Sequence, residues 1–466
     1  MSASGELRAS PEGRSTDERF SLGRVRSRLQ AFVGWIGRPG MMSYVARGAA
    51  VMLTVQLAGS GAAYLSHVLL ARWMGAVDFG VYSYALAWSA FLAAAARLGL
   101  SSATLRFLPE FSARREWDRA LGLLRGGWAI VLGASVASSS VWTVAVLAAA
   151  RWLRIEHLGA LLAGAWIIPP LALISLQAEM ARASRRIALA YAPPALGKAV
   201  VLILIAALVV RATGTLDADQ AILINIGALV LMAGLQLALF WRGLPDEVRA
   251  ARPVYEPRLW FSVSLPMLRV NGYSLVLGYA GLLLVGAILG PEAVGRYHAA
   301  VKTAGLVNLT LSAANTAAAP LYAALHAKGD RDELQRLIST SVGWSFLPSL
   351  ALFVVLVALG RPILGLFGPG FVAARWPLAI LAFGQLVNTG AGPVVTLLSV
   401  SGHQRECSRV FGWSALLNLL LNVIGIFLLG ITGAALATAA TMVLWNVWLH
   451  SKARRELGIR TRVRWG

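Results

Sequence analysis

The chain reads as an all-α polytopic membrane protein of about twelve transmembrane helices in two homologous six-helix lobes, and three observations predict this. The composition is 58% hydrophobic and only 14% charged, with a mean hydropathy of +0.67, outside the range of soluble domains. Apolar stretches of about 20 residues, the length that crosses a bilayer, follow one another with little interruption. Finally, LLARWMGAVDFGVYSY (Leu69 to Tyr84) recurs 215 residues later as LLVGAILGPEAVGRY (Leu283 to Tyr297). In both strings an apolar run reaches a short turn carrying glycine, four residues, glycine, one residue and tyrosine: Gly75, Gly80, Tyr82, then Gly290, Gly295, Tyr297. Glycine permits a sharp turn and a close approach. Tyrosine suits a membrane boundary, with one end apolar and one wet. A repeat at this spacing in an apolar chain points to two homologous halves.

Residues 1–42 form a basic tail that begins Ser-, Gly-, Arg- and Glu-rich, the composition of a disordered segment. From Phe20 to Ile36 the apolar residues can share one face of a helix lying on an anionic membrane surface; a solvated tail is the alternative. Spans are expected near 47–71, 80–102, 126–150, 158–179, 187–210 and 220–241, making residues 43–241 the first lobe. The polar, proline-containing linker at 242–260 follows. The second lobe, 261–450, holds spans near 262–289, 294–325, 337–359, 377–400, 410–430 and 431–449. Residues 451–466 form a second basic tail.

The net charge of +21 would suggest nucleic acid in a soluble protein. Here most cations fall between spans, so the chain is read as having no nucleic-acid partner. With the N-terminus placed in the cytoplasm, 31 of the 42 lysines and arginines lie on the inner side and seven on the outer. The positive-inside rule then puts both termini in the cytoplasm.

Four cations remain inside spans: Arg97, Lys198, Arg269 and Lys302. A charge in hydrocarbon costs at least about 2.5 kcal/mol and normally faces a protein interior or a water-filled cavity. Snorkelling to the headgroups competes as an explanation for Arg97 and Arg269, which lie toward span ends. It fits Lys198 and Lys302 less well. No aspartate lies inside a span, and Glu179, beside Gln177, is positioned to pair with Arg182. Excess cations in the interior suit an anionic substrate such as a phosphate or pyrophosphate. The uncharged residues Gln56, Asn271, Tyr273, Asn308, Asn315, Gln385 and Asn388 can line a hydrophilic cavity, as can His67 and Thr316. Interhelical hydrogen bonding is the alternative for these, and the plain reading of Asn418 and Asn422. Prolines inside spans, among them Pro193-Pro194 and Pro266, kink helices.

The chain has no GxxxxGK[ST], HExxH, CxxC or G-x-S-x-G string, and its single cysteine, Cys407, rules out an intramolecular disulfide. The expectation is a non-enzyme without cofactor or metal site.

The stretch Arg47 to Trp88, RGAAVMLTVQLAGSGAAYLSHVLLARWMGAVDFGVYSYALAW, with RLGLSSATLRFLPEF (Arg97 to Phe111), resembles the opening helices of bacterial polysaccharide or O-antigen flippases. These belong to the multidrug/oligosaccharidyl-lipid/polysaccharide exporter superfamily. SLPMLRVNGYSLVLGYAGLLLVGAILGPEAVGRYHAA (Ser264 to Ala300) repeats the likeness in the second half. The resemblance implies two lobes in a V about a central cavity in the bacterial inner membrane, and a monomer that moves undecaprenyl-pyrophosphate-linked oligosaccharide between leaflets. It implies cavity cations that hold the pyrophosphate, here Lys302, Arg269, Arg97 and Lys198 by location, with Arg47 meeting the headgroup. Polysaccharide polymerase and assembly proteins are the further partners it suggests. The rival functions are an organic cation exporter of the same superfamily, which should carry cavity carboxylates, and a membrane polymerase, which should carry a long outer loop.

Overall fold

The computed structural model describes residues 41–152 and 157–458; the side chains of 41–53, 269, 270, 317, 320, 400 and 457 fall outside the description. The basic tail up to residue 40, with its amphipathic stretch at 20–36, lies outside the described residues, as does the second half of the C-terminal tail. Residues 1–52 and 53–466 divide into two compact units. The first unit is helical over its described part. The second holds every other element, and no strand occurs among the described residues.

The helices, in order, are α1 (Met41–Ala96), α2 (Leu100–Arg114), α3 (Trp117–Ala150), α4 (Leu158–Ala165), α5 (Ile168–Ala183), α6 (Ile187–Tyr191), α7 (Lys198–Thr213), α8 (Ala218–Arg242) and α9 (Asp246–Ala250). Then follow α10 (Pro257–Leu289), α11 (Pro291–Gly305), α12 (Leu309–Lys328), α13 (Arg331–Ala358), α14 (Gly360–Gly365), α15 (Arg375–Ala391), α16 (Val394–Val400), α17 (Gln404–Leu429) and α18 (Ile431–Leu457). Ten of the described helical stretches are long and apolar enough to cross a membrane. Two differences account for the gap from the twelve expected spans. The first two spans form one helix bent at Gly75, and the eighth, α11 with α12, is not among the ten.

The repeat survives as backbone geometry. Gly75 has φ 78° and ψ −179°, and Gly290 has φ 83° and ψ −177°, the same left-handed break at equivalent places. The two turns also pack against each other. A Cβ on Gly80 would overlap the Pro291 carbonyl, and a Cβ on Gly295 would overlap the Ala76 carbonyl. Helices in hydrocarbon gain no water-exclusion energy from associating, so close backbone approach through glycine supplies the packing. Around this contact Phe79, Phe367 and Phe371 are buried, and Phe79 and Phe371 stack edge-on at 5.8 Å.

The tyrosines correct the boundary expectation. Tyr82 and Tyr297 are only 1% and 2% exposed. Tyr82 Oη accepts a hydrogen bond from Asn225 Nδ2 at 2.9 Å, and Tyr297 Oη meets Thr438 Oγ1 at 3.2 Å. Each therefore ties the second span of its half to the last one. A phenol inside a helix bundle needs a polar partner, and the sixth span of each half supplies it.

One apolar cluster joins both halves at this turn end, from Val68 to Ala435. Away from it the core divides into a cluster of the first half, with Phe107, Leu121 and Met180, and a cluster of the second, with Tyr322, Val342 and Phe411. Helix α10 bridges them: Trp260 near its start is buried in the first-half cluster, while Leu282 and Val285 join the common one. The linker ahead of α10 is pinned to α3, where Val254 N donates to Asp118 O at 3.0 Å and Arg119 bonds both Glu116 and Glu256.

Substituting Gly80 by leucine should force the two turns apart by overpacking backbone against backbone. In a Cys407→Ser background, a cysteine at the fully buried Ala300 should be protected from water-soluble maleimide in the parent and labelled in the Gly80→Leu variant. Equal protection in both would mean that the glycine contact does not hold this end closed.

Candidate functional site: a cationic cavity beneath the closed turns

A cavity of about 480 Å³ lies under the closed turn end, lined from both halves. Among the described residues its charged side chains are Lys198 and Lys302, and no carboxylate lines it. Both lysines sit at helix irregularities. Pro193 and Pro194 lack the N–H that an α-helix requires, so Ala192–Gly197 widens into a π-turn that ends at Lys198. Such turns recur at functional sites. Small residues let this turn pack tightly: a Cβ on Gly59 would come within 2.6 Å of Ala195 Cβ, and one on Gly197 within 2.6 Å of Met232 Sδ. Lys302 stands one turn ahead of a 3₁₀ segment, Leu306–Asn308. Lys302 is accessible within the cavity and Lys198 is half-buried. Neither makes a hydrogen bond or ion pair among the described residues.

The roof is aromatic. His67 and His298 lie edge-to-face at 5.1 Å, His298 meets Phe79 at 5.7 Å, and Tyr64 Oη approaches Thr303 Oγ1 at 3.1 Å. These contacts pair α1 with α11 directly above the lysines. His67 Nδ1 and both ring nitrogens of His298 are buried without partners among the described residues.

The residues singled out from sequence are distributed over three places. Lys198, Lys302, His67 and Gln385 line the central cavity. Arg97 and Asn271 line a separate pocket of about 380 Å³ with Glu179, whose carboxylate is bound by Arg182 at 2.9 Å. Asn308, Asn315 and Asn388 line a third pocket of about 180 Å³ in the second half. There Asn446 Nδ2 donates to Asn388 Oδ1 and Asn388 Nδ2 to Asn308 Oδ1, both at 3.1 Å. Tyr273 packs over Gly412, and Gln56 keeps a buried Oε1 without a partner among the described residues. Thr316 bonds back to Ser312 O at 2.8 Å, and Asn418 bonds Thr441 across α17 and α18 at 2.8 Å. Arg47 and Arg269 have side chains outside the described ones.

Sequence reasoning missed His298, Thr438 and Asn446, and assigned Tyr82 and Tyr297 to the membrane boundary. The tyrosines carried a signal in the repeat itself. Asn446 follows Met442 by four residues and Thr438 by eight, one face of α18, and Thr438 and Met442 both line the cavity.

A polytopic helical bundle in two pseudo-equivalent halves, with a charged cavity between them and closed at one end, is the architecture of a membrane transporter. A family model described as "Polysaccharide biosynthesis protein" matches residues 45–326, more than half of the chain, and the protein belongs to that family. A second model, MatE, matches residues 266–424. Among curated relatives, the chain is 26% identical over 229 residues to the probable low-salt glycan biosynthesis flippase Agl15 of Haloferax volcanii, covering 47% of each chain. It is 24% identical over 194 residues to an uncharacterized membrane protein of Methanocaldococcus jannaschii, covering 38% of that protein. The chain thus spans less than half the length of these curated relatives. In fold it is similar to the lipid II flippase MurJ in an inward closed conformation, with TM-score 0.68, 13% identity and 87% of each chain covered. It is also similar to an inward-facing multidrug resistance MATE family transporter of the MOP superfamily, with TM-score 0.67, 13% identity and 88% and 98% coverage.

The tyrosine tie is open to a direct check. Tyr82→Phe leaves Asn225 Nδ2 without its acceptor in the bundle, beside an Asn225 Oδ1 that is already unpartnered among the described residues. The variant should lose about 1 kcal/mol, the scale of a hydrogen bond between membrane helices, seen as a lower thermal midpoint in detergent.

Proposed function

We propose that the protein is a flippase that carries undecaprenyl-pyrophosphate-linked oligosaccharide across the bacterial cytoplasmic membrane. The observation that carries this reading is the central cavity, in which two lysines without ionic partners among the described residues face a space that no described carboxylate lines. Unpaired charge at membrane depth is costly, and an anionic group entering the cavity removes the cost. A pyrophosphate supplies that charge and accepts charge-assisted hydrogen bonds from ammonium groups. The same field repels organic cations, which disfavours a cationic-drug exporter.

The likeness to a glycan biosynthesis flippase and to the lipid II flippase supports a lipid-linked glycan as cargo. The strong cation bias toward one side of the spans supports cytoplasmic termini, so that the glycine turns face outward and the described state is closed to the outside. Transport then requires those turns to part while the opposite ends of the halves approach, with the sugars and pyrophosphate in the cavity and the prenyl tail in the bilayer. The protein acts by binding and conformational change, without chemistry of its own.

Deletion in the native bacterium, followed by leaflet-resolved analysis of lipid-linked sugars, should leave the repeat unit on the inner leaflet. Normal outer-leaflet delivery in a strain lacking other flippases would refute the reading. Lys198→Ala and Lys302→Ala should each weaken pyrophosphate binding by about tenfold, the scale of one lost charged hydrogen bond, at unchanged membrane abundance.

A further inference from the structure

Of the intramembrane cations whose side chains are described, Arg97 does not share a site with Lys198 and Lys302, and the separation carries meaning. Arg97 stands at the far end of α1, where the chain turns through Leu98 at φ 50° and Gly99 at φ 74°. Leu98 in this left-handed region is strained, a condition that persists only where surrounding structure enforces it. The turn is enforced by α10, since a Cβ on Gly99 would overlap the Ser264 carbonyl. The result is a pocket of about 380 Å³ between α1, α2, α5 and α10, holding Arg97, Ser101, Ser102, Glu179 and Asn271.

This pocket has a positive charge to spare. Both Glu179 oxygens accept from Arg182 Nη1, at 3.1 and 2.9 Å. Arg97 makes no hydrogen bond or ion pair among the described residues, and interacts electrostatically with Glu179 and Tyr279. Ser101 Oγ is buried and unpartnered among the described residues. A guanidinium and a buried hydroxyl without hydrogen-bond partners among the described residues, in a pocket that the Asn271 amide also lines, suit a phosphate group.

The pocket also neighbours the lysine cavity along two helices. On α1, Ala90 lines the cavity and Ala94, four residues on, lines the pocket; that is about 6 Å of helix on one face. On α10, Leu275 lines the pocket and Tyr279 the cavity, so Tyr279 touches one site and is electrostatically linked to the other. The equivalent place in the second half is uncharged: Ser312, 215 residues after Arg97, lines the asparagine pocket.

We propose that the Arg97 pocket is a separate reception site for the phosphate or pyrophosphate of the substrate, from which the group passes along α1 and α10 to Lys198 and Lys302. This rests on the flippase reading, and adds to it an order of events: capture at Arg97 precedes occupancy beneath the closed turns.

The test is titration calorimetry of the full chain in detergent with farnesyl pyrophosphate, and separately with inorganic pyrophosphate. The parent should show two sites, Arg97→Gln one, the Lys198→Ala/Lys302→Ala double variant one, and the triple variant none. Arg97→Lys, which keeps the charge but loses the planar fork, should retain the site at about tenfold weaker affinity and serves as the folding control. In proteoliposomes Arg97→Gln should raise the half-saturating substrate concentration about tenfold with little change in maximal rate. Unchanged stoichiometry in Arg97→Gln, with the lysine site still binding, would overturn the reception site alone. Failure of every form to bind either probe would overturn the flippase reading with it. Preference for the farnesyl compound identifies a lipid headgroup as the occupant, whereas equal binding of inorganic pyrophosphate identifies a free-anion site and overturns the reception role.

Discussion

Two helix turns lie backbone against backbone at Gly80 and Gly295, and much else in this protein depends on that contact. It brings the halves within van der Waals reach at one end, lets the rings of Phe79 and Phe371 interlock, and sets the roof of His67 and His298 over the cavity. In hydrocarbon, where apolar surface gains nothing by leaving lipid, such packing decides which helices stay together. A contact built from carbonyl oxygens and glycine Cα atoms has few strong bonds to break. It suits the reversible closure that the proposed transport would need.

The second constraint is electrostatic. Helix-distorting segments, a double-proline π-turn before Lys198 and a 3₁₀ turn after Lys302, present two ammonium groups to one cavity without an acid between them. Each half contributes one. The roof above them is packed with rings and buried imidazole nitrogens that have no partners among the described residues, a setting whose energy changes with any charge entering below.

The scaffold is duplicated while its chemistry is not. Gly75 and Gly290 share their dihedral angles, and Tyr82 and Tyr297 tie equivalent helices. Lys302, however, has Ala87 as its counterpart 215 residues earlier, and both line the same cavity. Arg97 and Ser312 line corresponding side pockets, one charged and one built of asparagine amides.

The amino-acid sequence by itself determined the class of the molecule, its division into halves and the presence of cations without acids, because hydropathy, glycine spacing and charge are local properties of the chain. It also marked the breaks, since proline and glycine act on their own backbone. Only the tertiary structure decided that Tyr82 and Tyr297 are interior struts, that the two turns meet each other, and that Arg97 is parted from Lys198 and Lys302. These follow from which helix faces meet across 140 to 240 residues of chain, as in the Tyr82 to Asn225 and Tyr64 to Thr303 pairs with separations of 143 and 239. A single helix in lipid is apolar on nearly all sides, so its periodicity does not say which face finds a neighbour; packing does.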